Sequence, residues 1–393
     1  MSLLEGVRVL DFGRYVAGPW CSCVLGDLGA DVVRVERVGG GEDRFVNPVA
    51  EDGSGSLFLA VNRNKRGITI DPMSEGGREV VRRLVATSDV VVANLPGATL
   101  AAMGLDEASV RAVRSDVVLT TIDAFGTGGP YSERVGFDGV AQVMCGAAYL
   151  AGEPGRPMKA AVPWVDFMTG TLAALGTLAA LQWRDRTGEG QRVEGALLKT
   201  ALTVAGGFLV EQALTAPDRV STGNRSQVAG PSDLFATRDG WVMVQVISAP
   251  LFARWAELMG EDHWLDDPRF ADDAARGRHG EVLSERMARW CAERTTAEAL
   301  AELEAWRIPA GPVYSPQQAL DDSHVGAIGF FQPTDYPGLP RPAPLPSTPV
   351  ALSACPPSIR RPAPRVGEHT DEVLAEAGFT AAEVAALRTA GAV

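Results

Sequence analysis

Histidine and cysteine are scarce in this chain of 393 residues, which contains four histidines and five cysteines. No two histidines lie within a few residues of each other, which argues against a histidine-based metal site. The closest cysteine pair, Cys21 and Cys23, has one residue between its members and fits neither a zinc knuckle nor a CxxC redox pair. We therefore expect no metal, and reduced thiols in a cytoplasmic protein.

Common phosphate-binding and hydrolase motifs are also missing. The chain has no GxxxxGK(S/T) phosphate loop and no GxSxG nucleophile elbow. Segment 13–18 follows a predicted strand but lacks the GxGxxG spacing, although Glu36 lies where a ribose-binding acid would stand. Because the glycine half of this fingerprint is missing, we expect no nicotinamide cofactor.

Positive charge is in deficit, because 36 Lys and Arg oppose 49 Asp and Glu for a net charge of −13. Such an acidic surface disfavours binding to nucleic acid or to an anionic membrane. The uncharged segment 167–183 would span about 25 Å as a helix, short of a ~30 Å hydrocarbon core. It therefore predicts a buried helix and no membrane span. The first residues lack a basic stretch followed by an apolar run, so we expect no signal peptide.

The length and the 46% hydrophobic content allow two or three domains with substantial cores. Apolar runs that predict strands alternate with helical patterns in the first third of the chain. The predicted strands are 7–11, 32–36, 68–70, 89–93 and 117–122, and the predicted helices are 20–28 and 75–86. This alternation predicts an α/β fold with an open parallel sheet.

Two apolar helices are predicted next, over 167–182 and 197–212, and the texture then changes to a charge-rich region. We predict a smaller domain over 225–325, which includes a strand at 240–246. Residues 332–364 hold 11 of the 26 prolines and predict an extended connector without regular elements. Short helices are expected from near Thr370 and from Thr380, which opens a Thr-x-x-Glu capping box.

Asp166 lies immediately before the first apolar helix, between Trp164 and Phe167. A carboxylate there can cap the helix by accepting hydrogen bonds from its first free amides. The same position can desolvate the carboxylate and make it a nucleophile. Composition and spacing do not choose between these roles.

A series of short motifs, taken together and in order, resembles one family. The matching segments are 10–14 with 17–19, 25–36, 62–66, 126–130, 136–138 with 141–142, 166–170, 187–191, 223–225, 308–313 and 367–370. The series covers nearly the whole chain and resembles the class III CoA-transferases, a group that includes α-methylacyl-CoA racemase. The resemblance implies an acyl-CoA:carboxylate CoA-transferase.

The resemblance also implies an architecture. It suggests a large Rossmann-like CoA-binding domain with a parallel sheet over residues 1–199 and a smaller α/β domain over 225–325. Residues 332–393 would form the proline-rich connector and C-terminal helices that return to the large domain. Two such chains would interlock as a homodimer.

By resemblance, Asp166 is the catalytic residue. Its carboxylate would attack the acyl-CoA thioester to give a mixed anhydride, and the released thiolate would then form an aspartyl-CoA thioester. A small carboxylic acid would accept the CoA, so CoA is a substrate and no cofactor is bound permanently. The helix N-terminus after Asp166, Gly223 and Gly230 are candidate amide donors to the oxyanions.

Nine positions match the family's CoA-binding segments: Val16, Ala17, Arg37, Ile70, Asn94, Leu95, Gly136, Phe137 and Asp138. Asp138 is expected to be structural or to face the pantetheine arm. Met73 and Ala102 stand where basic residues are usual in the family, so Arg44 or Lys65 could replace those cations. Solvent-exposed roles for Arg44 and Lys65 are equally consistent with the sequence.

Two other activities within the same resemblance stay open. A racemase or epimerase needs two proton-transfer groups at the α-carbon, and Phe137 stands where that branch has its histidine. A non-catalytic acyl-CoA-binding protein would keep the scaffold, and Met73 and Ala102 favour it slightly.

Overall fold

The computed structural model describes residues 2–393. Thirteen strands are present in the described chain. They are β1 (Arg8–Phe12), β2 (Asp31–Glu36), β3 (Lys65–Thr69), β4 (Val90–Ala93), β5 (Val118–Asp123), β6 (Gly152–Glu153), β7 (Arg156–Pro157), β8 (Arg192–Ala196), β9 (Ser232–Ala236), β10 (Trp241–Gln245), β11 (Ala310–Pro312), β12 (Phe331–Thr334) and β13 (Ala343–Pro346).

Eighteen α-helices and three short 3₁₀ helices accompany the strands in the described residues. The α-helices are α1 (Ala17–Asp27), α2 (Ser56–Val61), α3 (Glu75–Ala86), α4 (Gly97–Ala102), α5 (Glu107–Val113), α6 (Asp138–Met144), α7 (Ala147–Leu150), α8 (Trp164–Thr187), α9 (Leu197–Val204), α10 (Gly206–Thr215), α11 (Ala249–Met259), α12 (Asp273–Arg278), α13 (Gly280–Ala292), α14 (Thr296–Ala305), α15 (Pro316–Asp321), α16 (Ser323–Ala327), α17 (Thr370–Glu376) and α18 (Ala381–Thr389). The 3₁₀ helices are Glu42–Phe45, Asp262–Asp266 and Pro268–Phe270.

The first of two compact units comprises residues 2–145, 160–213 and 326–393. Its six-stranded sheet has the order β3-β2-β1-β4-β5-β8, and every neighbouring pair is parallel. The runs of valine in β2 and β4 are buried on both faces, as expected for strands with helices on either side. The prediction of an α/β fold with a parallel sheet is confirmed.

The C-terminal helices complete the main core of this unit. Val373 and Leu374 of α17 pack with strand residues such as Leu10 and Val91 in one buried cluster, which Phe379 and Val384 also join. Thr380 and Glu383 form the predicted capping box, in which each side chain accepts from the other residue's backbone amide. The helix starts predicted at Thr370 and Thr380 are thus confirmed.

The second compact unit comprises residues 146–159 and 214–325. Its three-stranded antiparallel sheet, in the order β11-β10-β9, packs on helices around Trp255, Trp264 and Phe270. The hairpin of β6 and β7 belongs here because Gly152 accepts a hydrogen bond from the amide of Gly223. Residues 146–159 thus belong to this second unit, although the large domain predicted over 1–199 includes them.

Two predictions of regular structure need correction. The proline-rich segment contains the antiparallel pair β12 and β13, with Pro333 opposite Pro344. In a two-stranded ribbon every strand is an edge, so a proline whose nitrogen points outward removes no ladder hydrogen bond. The predicted helix 197–212 is two helices, α9 and α10, which meet at an angle of 66°.

Helix α8 is longer than predicted and passes beside α1 at a glycine. A Cβ on Gly170 would lie 2.5 Å from the carbonyl oxygen of Ala17, so only glycine permits this approach. Next to this crossing, the rings of Trp20 and Phe167 meet edge to face at 5.1 Å. By length and composition α8 could cross a membrane, and 44% of its most apolar window is buried within the protein.

We expect Gly170→Ala to lower the free energy of unfolding by about 1–3 kcal/mol, because the new methyl group pushes α1 and α8 apart. Urea denaturation monitored by far-UV circular dichroism measures the change. Gly326→Ala is the matched control, since a Cβ at this helical glycine would contact no atom within 4 Å. Equal stabilities of the two variants would contradict the tight crossing.

Candidate active site

A cavity of about 290 Å³ opens at the carboxyl ends of three neighbouring strands. Its walls are the loops that follow β1 (Arg14 to Ala17), β4 (Asn94 to Pro96) and β5 (Ile122 to Ala124), with segment 132–137, Glu42, Asp166 and Leu197. From β1 the chain adds β2 and β3 on one side of the sheet, and it then returns to add β4, β5 and β8 on the other side. The order of the strands therefore reverses between β1 and β4. Open parallel sheets form their binding crevices at such a switch point.

Asp166 is the third residue of α8, and its half-buried side chain forms part of the cavity wall. Pro163 precedes the helix and provides no side-chain cap. The cap comes instead from Asp138, whose Oδ2 accepts hydrogen bonds from the amides of Val165 at 2.8 Å and Asp166 at 3.1 Å. The carboxylate of Asp166 is therefore not needed as the cap of its own helix.

Burial raises the pKa of the Asp166 carboxyl group to about 7, and the negative charge of Asp138 adds to this rise. A carboxyl group with a pKa near 7 is a stronger base and nucleophile, once ionised, than an ordinary aspartate. The capping role that the sequence left open for Asp166 is thus filled by Asp138, and Asp166 stands as a carboxylate in the cavity wall.

The loop after β1 is held in a strained conformation beside this carboxylate. Tyr15 has a φ of 60°, in the left-handed region that non-glycine residues rarely occupy. Asn94 clamps the loop, because its Oδ1 accepts from the amide of Arg14 at 2.6 Å and its Nδ2 donates to the Arg14 carbonyl at 2.9 Å. Asp43 accepts from the amide of Tyr15 at 3.3 Å. Strain of this kind persists where surrounding contacts over-determine the backbone.

The two cations suggested as replacements for Met73 and Ala102 are buried under this loop. The Nζ of Lys65 donates to Oδ2 of Asp11 at 2.8 Å, and the guanidinium of Arg44 pairs with Glu36 and stacks on Phe58. Both side chains are fully buried. The suggestion that they bind phosphate is wrong, because each neutralises a buried carboxylate.

The structure brings most of the predicted site residues to one place. Those lining the cavity are Val16, Ala17, Asn94, Leu95, Gly136, Phe137 and Asp166. Arg37 has an exposed side chain that reaches Glu42 on the cavity wall at 3.5 Å. Ile70 and Asp138 do not line the cavity. Ile70 donates its amide to the carbonyl of Glu36 and buries its side chain in the main core, while Asp138 caps α8.

Seven further polar or aromatic residues line the cavity and were not predicted. They are Arg14, Tyr15, Glu42, Asp123, Ser132, Glu133 and Arg134. Arg14 pairs with Glu42 at 2.9 Å, and Arg134 stacks on the ring of Tyr131 at 4.0 Å. Arg14 and Tyr15 directly follow the first strand of the sheet, where binding loops are expected, so their position was the available signal.

The suggested oxyanion donors at the start of α8 are already engaged. Asp138 accepts from the amides of Val165 and Asp166, and the amide of Phe167 donates to the carbonyl of Pro163. The expectation that this helix N-terminus stabilises an oxyanion is therefore wrong. Gly223 and Gly230, the other suggested donors, belong to the second unit.

Comparisons with known proteins agree on one family. The sequence profile of CoA-transferase family III matches residues 4–370. A succinate–glutarate CoA-transferase of Agrobacterium fabrum is 34% identical over 95% of both chains. The succinyl-CoA–L-malate CoA-transferase beta subunit of Chloroflexus aurantiacus is 33% identical over 95% of this chain and 93% of its own. The crystal structure of a CaiB/BaiF family protein from Brucella suis superposes with a TM-score of 0.84 at 32% identity, covering 96% of this chain and 99% of that one.

We expect Asp166→Asn to stabilise the protein at pH 8 by about 1–2 kcal/mol. The folded-state pKa of about 7 lies above the ordinary value of 3.8, so stability falls as the pH rises through this interval. Well below pH 3.8 the wild-type group is neutral in both states, so most of the gain should already be lost at pH 4. Urea denaturation at pH 4 and pH 8, at one protein concentration, measures the difference.

Asp106→Asn is the control for the loss of an aspartate at a helix N-terminus. Its amide-bonded carboxylate has a lowered pKa, so this variant should gain no stability at pH 8. Equal behaviour of the Asp166 and Asp106 variants would contradict the electrostatic environment described for Asp166.

Proposed function

We propose that this protein, which belongs to CoA-transferase family III, moves CoA from an acyl-CoA donor to a carboxylic acid through covalent intermediates on Asp166. The observation that carries the mechanism is the Asp166 carboxyl group in the cavity wall, with its pKa raised to about 7. A difficult exchange of carboxylate for thiolate is thereby divided into steps at one side chain.

The reaction proceeds in four balanced steps. An Asp166 oxygen bonds to the thioester carbon, the C–S bond breaks, and a mixed anhydride and CoA thiolate result. The thiolate bonds to the aspartyl carbon and expels the donor acid as its carboxylate, which leaves an aspartyl-CoA thioester. The acceptor carboxylate then attacks this thioester and frees the thiolate. The thiolate finally attacks the acceptor carbonyl, and Asp166 leaves as a carboxylate with no net proton transfer.

The first helix can stabilise the oxyanions of these steps. Val16 and Ala17 stand at the start of α1 and line the cavity, and Val16 makes no side-chain cap bond to the helix. Uncapped amides at a helix N-terminus favour negative charge. We assign them the role that the start of α8 does not fill.

The anionic end of CoA fits the cations at the cavity mouth. Arg14 and Arg37 both pair with Glu42, so the two guanidinium groups lie close to one another. Two arginines in this arrangement suit a phosphate group. They take the place of the basic residue that the resemblance leads one to expect at Met73, whose side chain is exposed.

The donor and acceptor are proposed to be short dicarboxylic acids or their CoA thioesters. The relatives from Agrobacterium fabrum and Chloroflexus aurantiacus are named for succinate, glutarate, succinyl-CoA and L-malate. The cavity wall also carries Arg134, whose guanidinium group can pair with the second carboxylate of such a substrate.

We further propose a homodimer that covers the apolar faces of α8, α9 and α10. Leu172, Leu175 and Phe208 are exposed there, and no residue of α10 is buried within the described chain. Such a contiguous face indicates an interface. A second copy is favoured over lipid because α8 buries Thr169 and Thr177 against its own chain and carries Asp166 at its start.

Asp166→Ala should abolish CoA exchange while the cavity still binds CoA. The test gives succinyl-CoA with glutarate, malate and monocarboxylic acids in D₂O to each protein and identifies the acyl-CoA products by mass spectrometry. New acyl-CoA species with wild type alone are expected, with dicarboxylic acids exchanged fastest. Isothermal titration with CoA shows that the variant still binds.

The same assay separates the alternatives. A gain of one deuteron at the α-carbon of a branched acyl-CoA, without exchange, would indicate an epimerase instead. Binding without products or a covalent adduct on Asp166 would indicate a binding protein. Because the Asp166 pKa is about 7, the exchange rate should fall about tenfold per pH unit well below pH 7.

Leu175→Asp should convert the dimer to a monomer, because this side chain is 62% exposed on the apolar face of α8 and a charge there opposes burial. Sedimentation velocity at micromolar concentration measures the change. Leu3→Asp is the control, an exposed leucine outside these helices. A monomeric wild type, or one that floats with liposomes, would contradict the proposed interface.

A further inference from the structure

The first turn of α8 is anchored from another helix. Asp138 is the first residue of α6, and its Oδ2 accepts from two consecutive amides of α8, those of Val165 and Asp166. One of these amides belongs to the residue that carries the proposed nucleophile. Asp138 is buried, so its side-chain oxygens depend on these donors in place of water.

Gln142 extends the anchor to the chain that leads into α8. It lies one turn after Asp138 and donates from Nε2 to Oδ1 of Asp138. Its Oε1 accepts from the amide of Ala160 at 2.9 Å, and its Nε2 also approaches the carbonyl of Val162 at 3.3 Å. Gln142 is buried as well. Asp138 and Gln142 thus form hydrogen bonds to backbone groups before and after Pro163, and they connect both segments to α6.

Asp138 also acts on Asp166 through its charge. Besides burial, the negative charge of Asp138 is the cause of the raised pKa of Asp166. The charged groups on the cavity wall from the other elements are Arg14, Glu42, Asp123, Glu133 and Arg134. None of these is a cause of the shift, so Asp138 is the charge to which Asp166 responds.

We propose that Asp138 is a positioning residue that fixes the start of α8 through the amides of Val165 and Asp166 and holds the nucleophilic carboxylate under the influence of a second, non-reacting carboxylate. This inference rests on the proposed role of Asp166. Of the two roles expected for Asp138, structural or facing the pantetheine arm, this inference gives it the structural one. Gln142 serves the same arrangement by holding the other oxygen of Asp138.

Asp138→Asn removes the charge and keeps a side-chain oxygen for the two amides of α8, but it loses the bond from Gln142, because its new amide nitrogen would face the donor Nε2 of Gln142. We expect the acid limb of kcat/KM for CoA exchange to move down by about one pH unit. The plateau above pH 8 should fall about 3- to 10-fold, because a less basic carboxylate is a weaker nucleophile. The KM for acyl-CoA should stay unchanged, whereas a residue that contacts pantetheine would raise it.

Asp138→Ala removes the charge and the anchor together. We expect a lower melting temperature and a larger loss of kcat than in Asp138→Asn, and Asp138→Asn therefore serves as the partial rescue. Asp106→Asn, which changes the cap of α5 away from the cavity, should leave the pH profile unchanged. All variants are compared with the same substrates between pH 5 and pH 9, so substrate ionisation cancels between them.

The outcomes distinguish this inference from the proposed function. A wild type without exchange activity overturns the proposed function and, with it, the premise of this inference. An active wild type whose pH profile is unchanged in Asp138→Asn overturns the inference about Asp138 alone. A raised KM with an unchanged profile does so too and returns Asp138 to a CoA-contacting role.

Discussion

The close crossing of α1 and α8 is the constraint on which the cavity depends. Gly170 lets the two helices approach until a Cβ would strike the carbonyl of Ala17. Asp166 lies about one turn before that glycine, and Val16 lies at the start of α1. The separation between the carboxylate and the β1 loop is therefore set where the helices touch. The Asp-x-x-x-Gly spacing therefore combines the cavity carboxylate with the glycine that permits close helix packing.

The strained loop above this crossing is supported by buried charges. Asp11 accepts from the amide of Gly13 and from Nζ of Lys65, while Asp43 accepts from the amide of Tyr15 and from Arg34. Buried ion pairs often contribute little net stability, because desolvation offsets their attraction. Removing one partner would leave an uncompensated charge under the loop. The network is best understood as fixing a conformation that Tyr15 would not otherwise adopt.

Local pattern predicted five of the six strands of the large sheet, all but β8, and placed Asp166 before an apolar helix, because periodicity and capping signals are properties of neighbouring residues. The partners that define the site come from distant positions, and no local signal records them. Asp138 caps a helix that begins 26 residues later, and Asn94 clamps a loop that lies 80 residues before it. The burial of individual side chains could not be predicted from local pattern either. Lys65 was therefore suggested as a phosphate ligand, although its side chain is fully buried.

The environment of Asp166 explains why stability and chemistry oppose each other at this position. Burial and the charge of Asp138 make the ionised carboxyl group unfavourable, which raises its pKa. In the proposed reaction, both the mixed anhydride and the aspartyl thioester remove that charge from Asp166. Repulsion from Asp138 is therefore relieved as the first covalent bond forms, and it returns only when the product leaves. A single neighbouring carboxylate can thus anchor the helix and favour acylation of the residue it holds.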